Sequence, residues 1–160
     1  MALKMVIKID GVDGESKVKD HEGEIDVLEW DWGMVNTGSM HVGGGGGTGV
    51  AEVNDLTFRK AVDKASATLY QRCCKGTHIT EGATLFMRKM GDDPLDFMKI
   101  KMSPVLVSSI DSGGSEGDES FTETIGLNFA TVEITYTPQK EDGSPDADIE
   151  IDWDIEAGTT

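Results

Sequence analysis

Residues 149–155 form an unbroken alternation of apolar and acidic side chains, Ile149-Glu150-Ile151-Asp152-Trp153-Asp154-Ile155. A period of two is typical of a β-strand with one buried face. The same period occurs near the amino terminus, where the apolar series Leu3, Met5, Ile7, Ile9 alternates with the series Lys4, Val6, Lys8, Asp10. Strands are therefore predicted near both ends of the sequence.

Alternating runs also fill the middle of the sequence, over residues 56–62, 77–90, 97–110, 119–128 and 130–137. In the first run, Leu56, Phe58 and Val62 are predicted to form the buried face. Turns rich in Gly, Asp and Ser separate the runs. Strands this frequent predict a mainly β fold, an antiparallel β-barrel or sandwich of packed sheets.

One segment departs from the period of two and predicts a short helix of about nine residues, too short to be stable alone and so docked outside the barrel. Ser66 is predicted to cap its first turn, and Gly76 to be its left-handed C-terminal cap. The positions that recur at helical spacing, and are expected to face the barrel, are Leu69, Tyr70, Cys73 and Cys74.

Composition narrows the class of protein. The chain has 160 residues, 38% of them hydrophobic, and its 14 basic and 30 acidic side chains give a formal net charge of −16. This length predicts a single domain over residues 1–160, and this acidity argues against a nucleic-acid partner. No apolar run is long enough for membrane insertion, and residues 1–10 lack the apolar block of a signal peptide. The only two cysteines are adjacent, which indicates a reducing compartment.

The motifs that could carry chemistry are weak. The glycine run Gly43–Gly47 lacks the lysine that a phosphate-binding loop needs. Cys73 or Cys74 with His78 is the only local nucleophile–base pair, and burial of the thiols would make them inert. The three histidines, His21, His41 and His78, lack metal-ligand spacing. The sequence therefore predicts no catalytic residue, no cofactor and no metal site.

The acidic segment 141–156 holds eight carboxylates and no base. A calcium loop counted from Asp146 would place Ile151 where the sharp turn needs glycine. Residues 113–118 form a poor single copy of a calcium-binding repeat. A solvated acidic strand is the favoured interpretation. A monomeric acidic β-barrel binding module that responds to calcium is the alternative.

Ordered segments spread over residues 4–156 combine into a familiar pattern. They are Gly14-Glu15-Ser16-Lys17, Asp20-His21, Ile25-Asp26-Val27-Leu28, Trp30-Asp31-Trp32-Gly33, Gly38-Ser39-Met40-His41, Val62-Asp63-Lys64-Ala65-Ser66, Val105-Leu106-Val107-Ser108-Ser109, Thr122-Glu123, Leu127-Asn128-Phe129-Ala130, Tyr136-Thr137-Pro138-Gln139 and Trp153. Their combination resembles the hemolysin-coregulated protein (Hcp) family, the tube-forming proteins of the bacterial type VI secretion system.

The resemblance implies a β-barrel of two antiparallel sheets with one helix outside. It also implies a homohexameric ring with strands on its inner wall, and rings that stack into a tube driven by sheath proteins behind a spike. The lumen is expected to hold and protect small effector proteins. The protein is expected to leave the bacterial cytoplasm through its own apparatus, without a signal peptide.

Two acidic residues are candidates for the lumen wall. If strand alternation holds through residues 29–33, Glu29 and Asp31 share the face opposite Trp30 and Trp32, whose bulk favours the core. The family usually has a small residue where Asp31 stands, so this ring interior would be more acidic and would favour basic cargo. The alternative is that Asp31 is merely a solvated strand residue.

The long loop Thr37–Gly49 is the candidate for a different role, the stacking of rings. The resemblance places this loop against a neighbouring ring or subunit. Its glycines let the backbone adapt to a neighbour's surface. The predicted ring-stacking residues are Gly38, Ser39, Met40, His41, Val42, Gly43, Gly44, Gly45, Gly46 and Gly47.

Overall fold

The computed structural model describes residues 2–38, 40 and 49–160. The fold is mainly β with one short helix, which confirms the predicted fold class. The elements are β1 Leu3–Ile9, β2 Ile25–Asp26, β3 Glu29–Asp31, β4 Met34–Asn36, β5 Ala51–Val53, β6 Leu56–Ala61, α1 Ser66–Lys75, β7 Ala83–Lys89, β8 Leu95–Gly113, β9 Thr122–Tyr136 and β10 Ile149–Asp154.

The main sheet is antiparallel and curled, with strand order β2-β1-β7-β8-β9-β6-β3. Its two end strands, β2 and β3, are separated in the chain only by Val27 and Leu28, so the sheet curls round toward a barrel. β9 is long enough to pair with β6 along its first half and with β10 along its second. The sheet therefore has two halves, β3-β6-β9-β8 and β2-β1-β7-β8-β9-β10, with the core between them.

The core consists of rows of side chains that are register partners on neighbouring strands. One row runs through Ile25, Ile7, Leu85 and Ile100, all fully buried. Each such side chain contributes about 1.5–3 kcal/mol of transfer free energy when buried. In β1 the two alternating series are not cleanly divided between core and solvent: Leu3 at the strand's start is exposed, and Val6 in the series with Lys4 and Lys8 is buried.

The predicted run 56–62 is also corrected by the structure. β6 ends at Ala61, and Val62 beyond it is 53% exposed. The inner position next to Leu56 and Phe58 belongs instead to Lys60, which is fully buried. The runs 119–128 and 130–137 were predicted as separate strands but form one continuous strand, β9.

Helix α1 has ten residues and ends as predicted at Gly76, whose φ of 61° is left-handed and whose N–H donates to Arg72 and Cys73 carbonyl oxygens. The predicted cap was wrong: Ala65 is the N-cap, and Ser66 is the first helical residue. The prediction that both cysteines are buried was also wrong, since Cys73 is half-buried and Cys74 is exposed. The helix turns only Ser66 and Leu69 fully inward.

Candidate functional surface

The outward side of β3, β6, the first half of β9 and the second half of β8 carries charged side chains and small polar ones, and is here called the polar face. Two rows cross it in register. The rows are Glu29–Arg59–Thr124–Asp111 and Asp31–Thr57–Gly126–Ser109. A Cβ at Gly126 would collide with the Ser109 hydroxyl, so a larger residue there would require the Ser109 side chain to move.

Glu29 and Asp31 both lie on the polar face, and Trp30 between them packs against the core. The two carboxylates differ in their partners. Arg59 Nε lies 3.3 Å from Glu29 Oε2, an exposed pair worth at most about 1 kcal/mol. Asp31 forms no ion pair with any residue that the structure describes. Asp31 therefore carries the uncompensated negative charge of these two positions.

A buried ion pair lies directly behind the polar face. Lys60 on β6 and Glu123 on β9 are register partners on the inner side of the sheet, and both side chains are fully buried. Lys60 Nζ lies 2.6 Å from Glu123 Oε1 and 2.8 Å from Asp63 Oδ1. A buried charge is tolerated only when it is paired and hydrogen-bonded, and each of these two groups has several partners.

The same carboxylate fastens the helix to the sheet. Ser66 Oγ donates to Glu123 Oε1 at 2.5 Å, and Tyr70 Oη donates to Oε2 at 2.5 Å. Burial by itself would raise the pKa of Glu123, but the hydrogen bonds from Lys60, Ser66 and Tyr70, with the charge of Lys60, hold it below its ordinary value. Glu123 is therefore the charged centre on which α1 docks.

A second charged cluster fixes the loop between β1 and β2. His21 is buried and its ring contacts Phe86, with ring centroids 4.5 Å apart. Its Nδ1 lies 2.7 Å from Glu24 Oε2, and its Nε2 lies 3.0 Å from Asp96 Oδ2. Arg88 donates to Asp96 Oδ1, so loop and sheet share one network. His21 thus has a hydrogen-bonding role, while His78 is exposed.

Of the predicted ring-stacking residues, Gly38 and Met40 are described, and Met40 is exposed. Ser39, His41, Val42 and Gly43 to Gly47 lie outside the described residues. Asn36 joins the two ends of this loop: its Oδ1 accepts from Gly38 N–H at 2.7 Å, and its Nδ2 donates to the Gly49 carbonyl at 3.1 Å. This clamp was not predicted from the sequence.

Within residues 2–38, 40 and 49–160, no three His, Cys, Asp or Glu side chains gather as possible metal ligands. None of the helices in that part of the chain has the length and apolar character needed to cross a membrane. The acidic strand β10 pairs with β9 through its full length, from Ile149 opposite Tyr136 to Asp154 opposite Thr131.

Comparison with known proteins agrees with this fold. The family described as "Type VI secretion system effector, Hcp" matches residues 6–136 of the chain. The chain belongs to the Hcp family. Protein hcp1 of Pseudomonas aeruginosa is 45% identical over 156 residues, which are 97% of this chain and 96% of that relative.

Solved Hcp-family structures are similar in fold over nearly their full length. Hcp1 from Salmonella typhimurium is 34% identical with a TM-score of 0.81, and 99% of each chain is covered. A solved type six secretion system protein is 30% identical with a TM-score of 0.92, again over 99% of each chain. This chain is thus a member of a structural, secreted family of type VI secretion proteins.

Among the described residues of this Hcp-family chain, sequence reasoning missed the Lys60–Glu123 pair. Its one signal was local: Lys60 continues the inner alternation that Leu56 and Phe58 begin. A lone lysine at such a position does not reveal a partner 63 residues away.

Proposed function

We propose that this chain is the inner-tube subunit of a type VI secretion machine, in which six copies form a ring and rings stack into a tube. The polar face is the surface that would line the hollow. One observation carries this assignment: the two rows that cross four strands present Thr, Ser, Gly and charged side chains and no large apolar one. Such a wall leaves space and does not bind passing proteins through apolar contacts.

The lumen of this ring would hold small effector proteins, and Glu29 and Asp31 would contact them. Since Arg59 compensates Glu29, the field at the wall would come from Asp31 together with Asp111 in the other row, each repeated six times. Screening at physiological salt acts over about 8 Å, so cargo close to the wall would feel this charge. The tube would therefore favour cargo with a basic surface.

The loop Gly38–Gly47 is the proposed contact between stacked rings, with sheath and spike proteins as the further partners of the tube. The Asn36 clamp supports this role because it holds the two ends of the loop together. The protein would leave the bacterial cytoplasm through the machine itself, without a signal peptide, for the exterior or a target cell.

The mass of the purified protein tests the ring. Light scattering should give about six times the 17.2 kDa chain mass, and electron micrographs should show end-on annuli. A mass of one chain under every salt and protein concentration would reject the ring. Together with a melting temperature that rises on adding calcium, it would favour the monomeric acidic binding module instead.

Deleting Gly43 to Gly47 tests the stacking loop separately. The variant should still form rings, because none of the described strands contains the deleted residues, and should lose tube formation and secretion. Tubes and secretion at the normal level would contradict the assignment of the loop.

A further inference from the structure

The inner, apolar face of the sheet extends past the core at strand β10. The row of register partners that begins with buried Ile7 and Ile100 continues to half-buried Ile134 and then to Ile151, which is 62% exposed. Ile149, on the same face of β10, is 59% exposed. Apolar surface of this kind, continuous with a core, is typical of a binding site.

An apolar groove of about 220 Å³ borders this exposed part of the sheet. Ile151 and Trp153 of β10 form one side, and Met34 and Val53 of the β4–β5 hairpin form the other. Met34 is exposed, as is its neighbour Val35. Side chains that approach along β10 could therefore enter an existing apolar groove.

On the side away from β9, the backbone of β10 pairs with Thr159 at Asp154 and is free at Glu150 and Asp152 among the described residues. Ile155 N–H donates to Ala130 on the β9 side, whereas Asp154 N–H donates to Thr159 on the opposite side. Because backbone groups alternate sides along a strand, Glu150 and Asp152 point their N–H and C=O groups the same way as Asp154. No strand within the described residues pairs with this edge.

The opposite face of β10 is acidic. Glu150 and Asp152 are exposed there, and Asp152 is the register partner of Glu133 on β9. A basic strand already pairs with acidic Glu133 inside this protein. On the side of β9 away from β10, the β8 segment Met98–Met102 pairs with β9 and places Lys101 opposite Glu133. In that segment apolar residues alternate with Lys99 and Lys101.

We infer that the free edge of β10 binds an extended segment of a partner protein in which apolar residues alternate with lysine or arginine. The segment adds to the sheet as a further strand. Its apolar side chains lie beside Ile151 and the groove, and its basic side chains lie beside Glu150 and Asp152. Backbone pairing supplies affinity and the alternating side chains supply specificity. The edge exists in the single chain, so this inference does not depend on the ring.

Edge protection is the competing explanation of the acidic side chains, since charges on an edge strand prevent self-pairing. It accounts for Glu150 and Asp152 but not for Ile149 and Ile151, whose exposure is what a protected edge avoids. The two explanations differ in a measurable way, because only a binding edge takes up a basic strand.

A labelled peptide with the sequence of residues 97–103, Phe-Met-Lys-Ile-Lys-Met-Ser, is the probe. Fluorescence anisotropy should show saturable binding to the full chain, and its affinity should fall as salt is raised. The same peptide with both lysines replaced by glutamate should bind at least about tenfold more weakly. The double variant Glu150→Lys/Asp152→Lys should reverse this preference, and Glu116→Lys/Glu119→Lys, at two exposed acids outside the strands, should leave it unchanged.

Backbone pairing is tested with two peptides N-methylated at alternate nitrogens, in opposite phase. Strand addition requires that one phase abolishes binding and the other preserves it, because only one set of N–H groups faces β10. Equal binding of both, indifference to the charge reversals, or no binding up to about 1 mM peptide would overturn the inference. Dissociation of rings by Ile151→Lys would overturn it as well, since a second copy would then be the occupant.

Discussion

At the scale of single residues, the least expected feature is a fully buried lysine on the inner side of the sheet. Lys60 sits where the strand pattern calls for an apolar side chain, and Glu123 faces it from the adjacent strand. The pair is stable because Asp63, Ser66 and Tyr70 complete the hydrogen bonds around it. Removal of one charge leaves the other buried without compensation.

Lys60→Met should therefore destabilise the protein by about 3–5 kcal/mol. Urea unfolding followed by tryptophan fluorescence measures this loss. The double variant Lys60→Met/Glu123→Leu is the control, since replacing both charges with apolar groups of similar volume is often nearly neutral. A single variant as stable as the double one would contradict the buried pair.

Glu123 also predicts a dependence on pH. Its folded-state pKa is lower than the reference value of 4.5, so the unfolded chain binds a proton more readily than the folded one. The stability contributed by Glu123 is thus present above this reference value and is lost as pH falls through the folded pKa. Glu123→Gln should lose less stability than the wild type between pH 7 and about pH 4.

Denaturation curves at both pH values supply the measurement for Glu123→Gln. Glu133→Gln, which changes an exposed glutamate on the same strand, is the matched control and should retain the acid sensitivity of the wild type. If both variants lose stability to the same degree in acid, the buried carboxylate is not the group responsible.

At the scale of elements, polar contacts fix two segments that their own sequences would leave loose. Helix α1 turns only two residues fully inward and docks through Ser66 and Tyr70 on Glu123. The loop between β1 and β2 has no regular strand, and His21 attaches it to Asp96 of β8. In both cases a side chain from a distant part of the chain sets the position of the element.

His21→Ala should release this loop, because the ring then no longer joins Glu24 to Asp96. Lys17 and Lys19 lie in the loop and provide trypsin sites. Limited proteolysis should cut the variant there faster than the wild type, since opening of a segment exposes it to protease. His78→Ala, at an exposed histidine, should be cut at the wild-type rate; equal rates for all three proteins would show that His21 does not hold the loop.

At the scale of the whole molecule, the curled sheet presents two exposed surfaces of different chemistry, the polar face and the edge strand β10. The polar face has small side chains and an uncompensated Asp31, whereas the half that ends in β10 is acidic at its edge and apolar on its inner side. One chain thus offers one surface suited to a lumen and another suited to strand pairing.

Asp31→Ser should leave rings intact and reduce the export of basic cargo, because six negative charges leave the proposed wall. Secretion of a basic and a neutral cargo, compared in the same cells, is the measurement. Asp31→Glu is the matched control, because it keeps one negative charge at the same position of the polar face, and it should export basic cargo at the wild-type level. Unchanged export of basic cargo by Asp31→Ser would reject the charge selection.

Much of the fold follows from local sequence. The period of two placed the strands, Gly76 placed the end of the helix, and alternation through residues 29–31 put Glu29 and Asp31 on one face. These features depend on backbone conformation and on neighbours two to four positions away, which a single sequence contains.

Only the tertiary structure decided which predicted faces are covered. It buried Lys60 and exposed Val62, joined two predicted strands into β9, and left Ile151 on the apolar side of an unpaired edge. Each outcome depends on partners far away in the chain, since burial and charge compensation come from whichever strand or loop packs alongside. Alternation assigns side chains to faces, and long-range packing determines which of those faces water can reach.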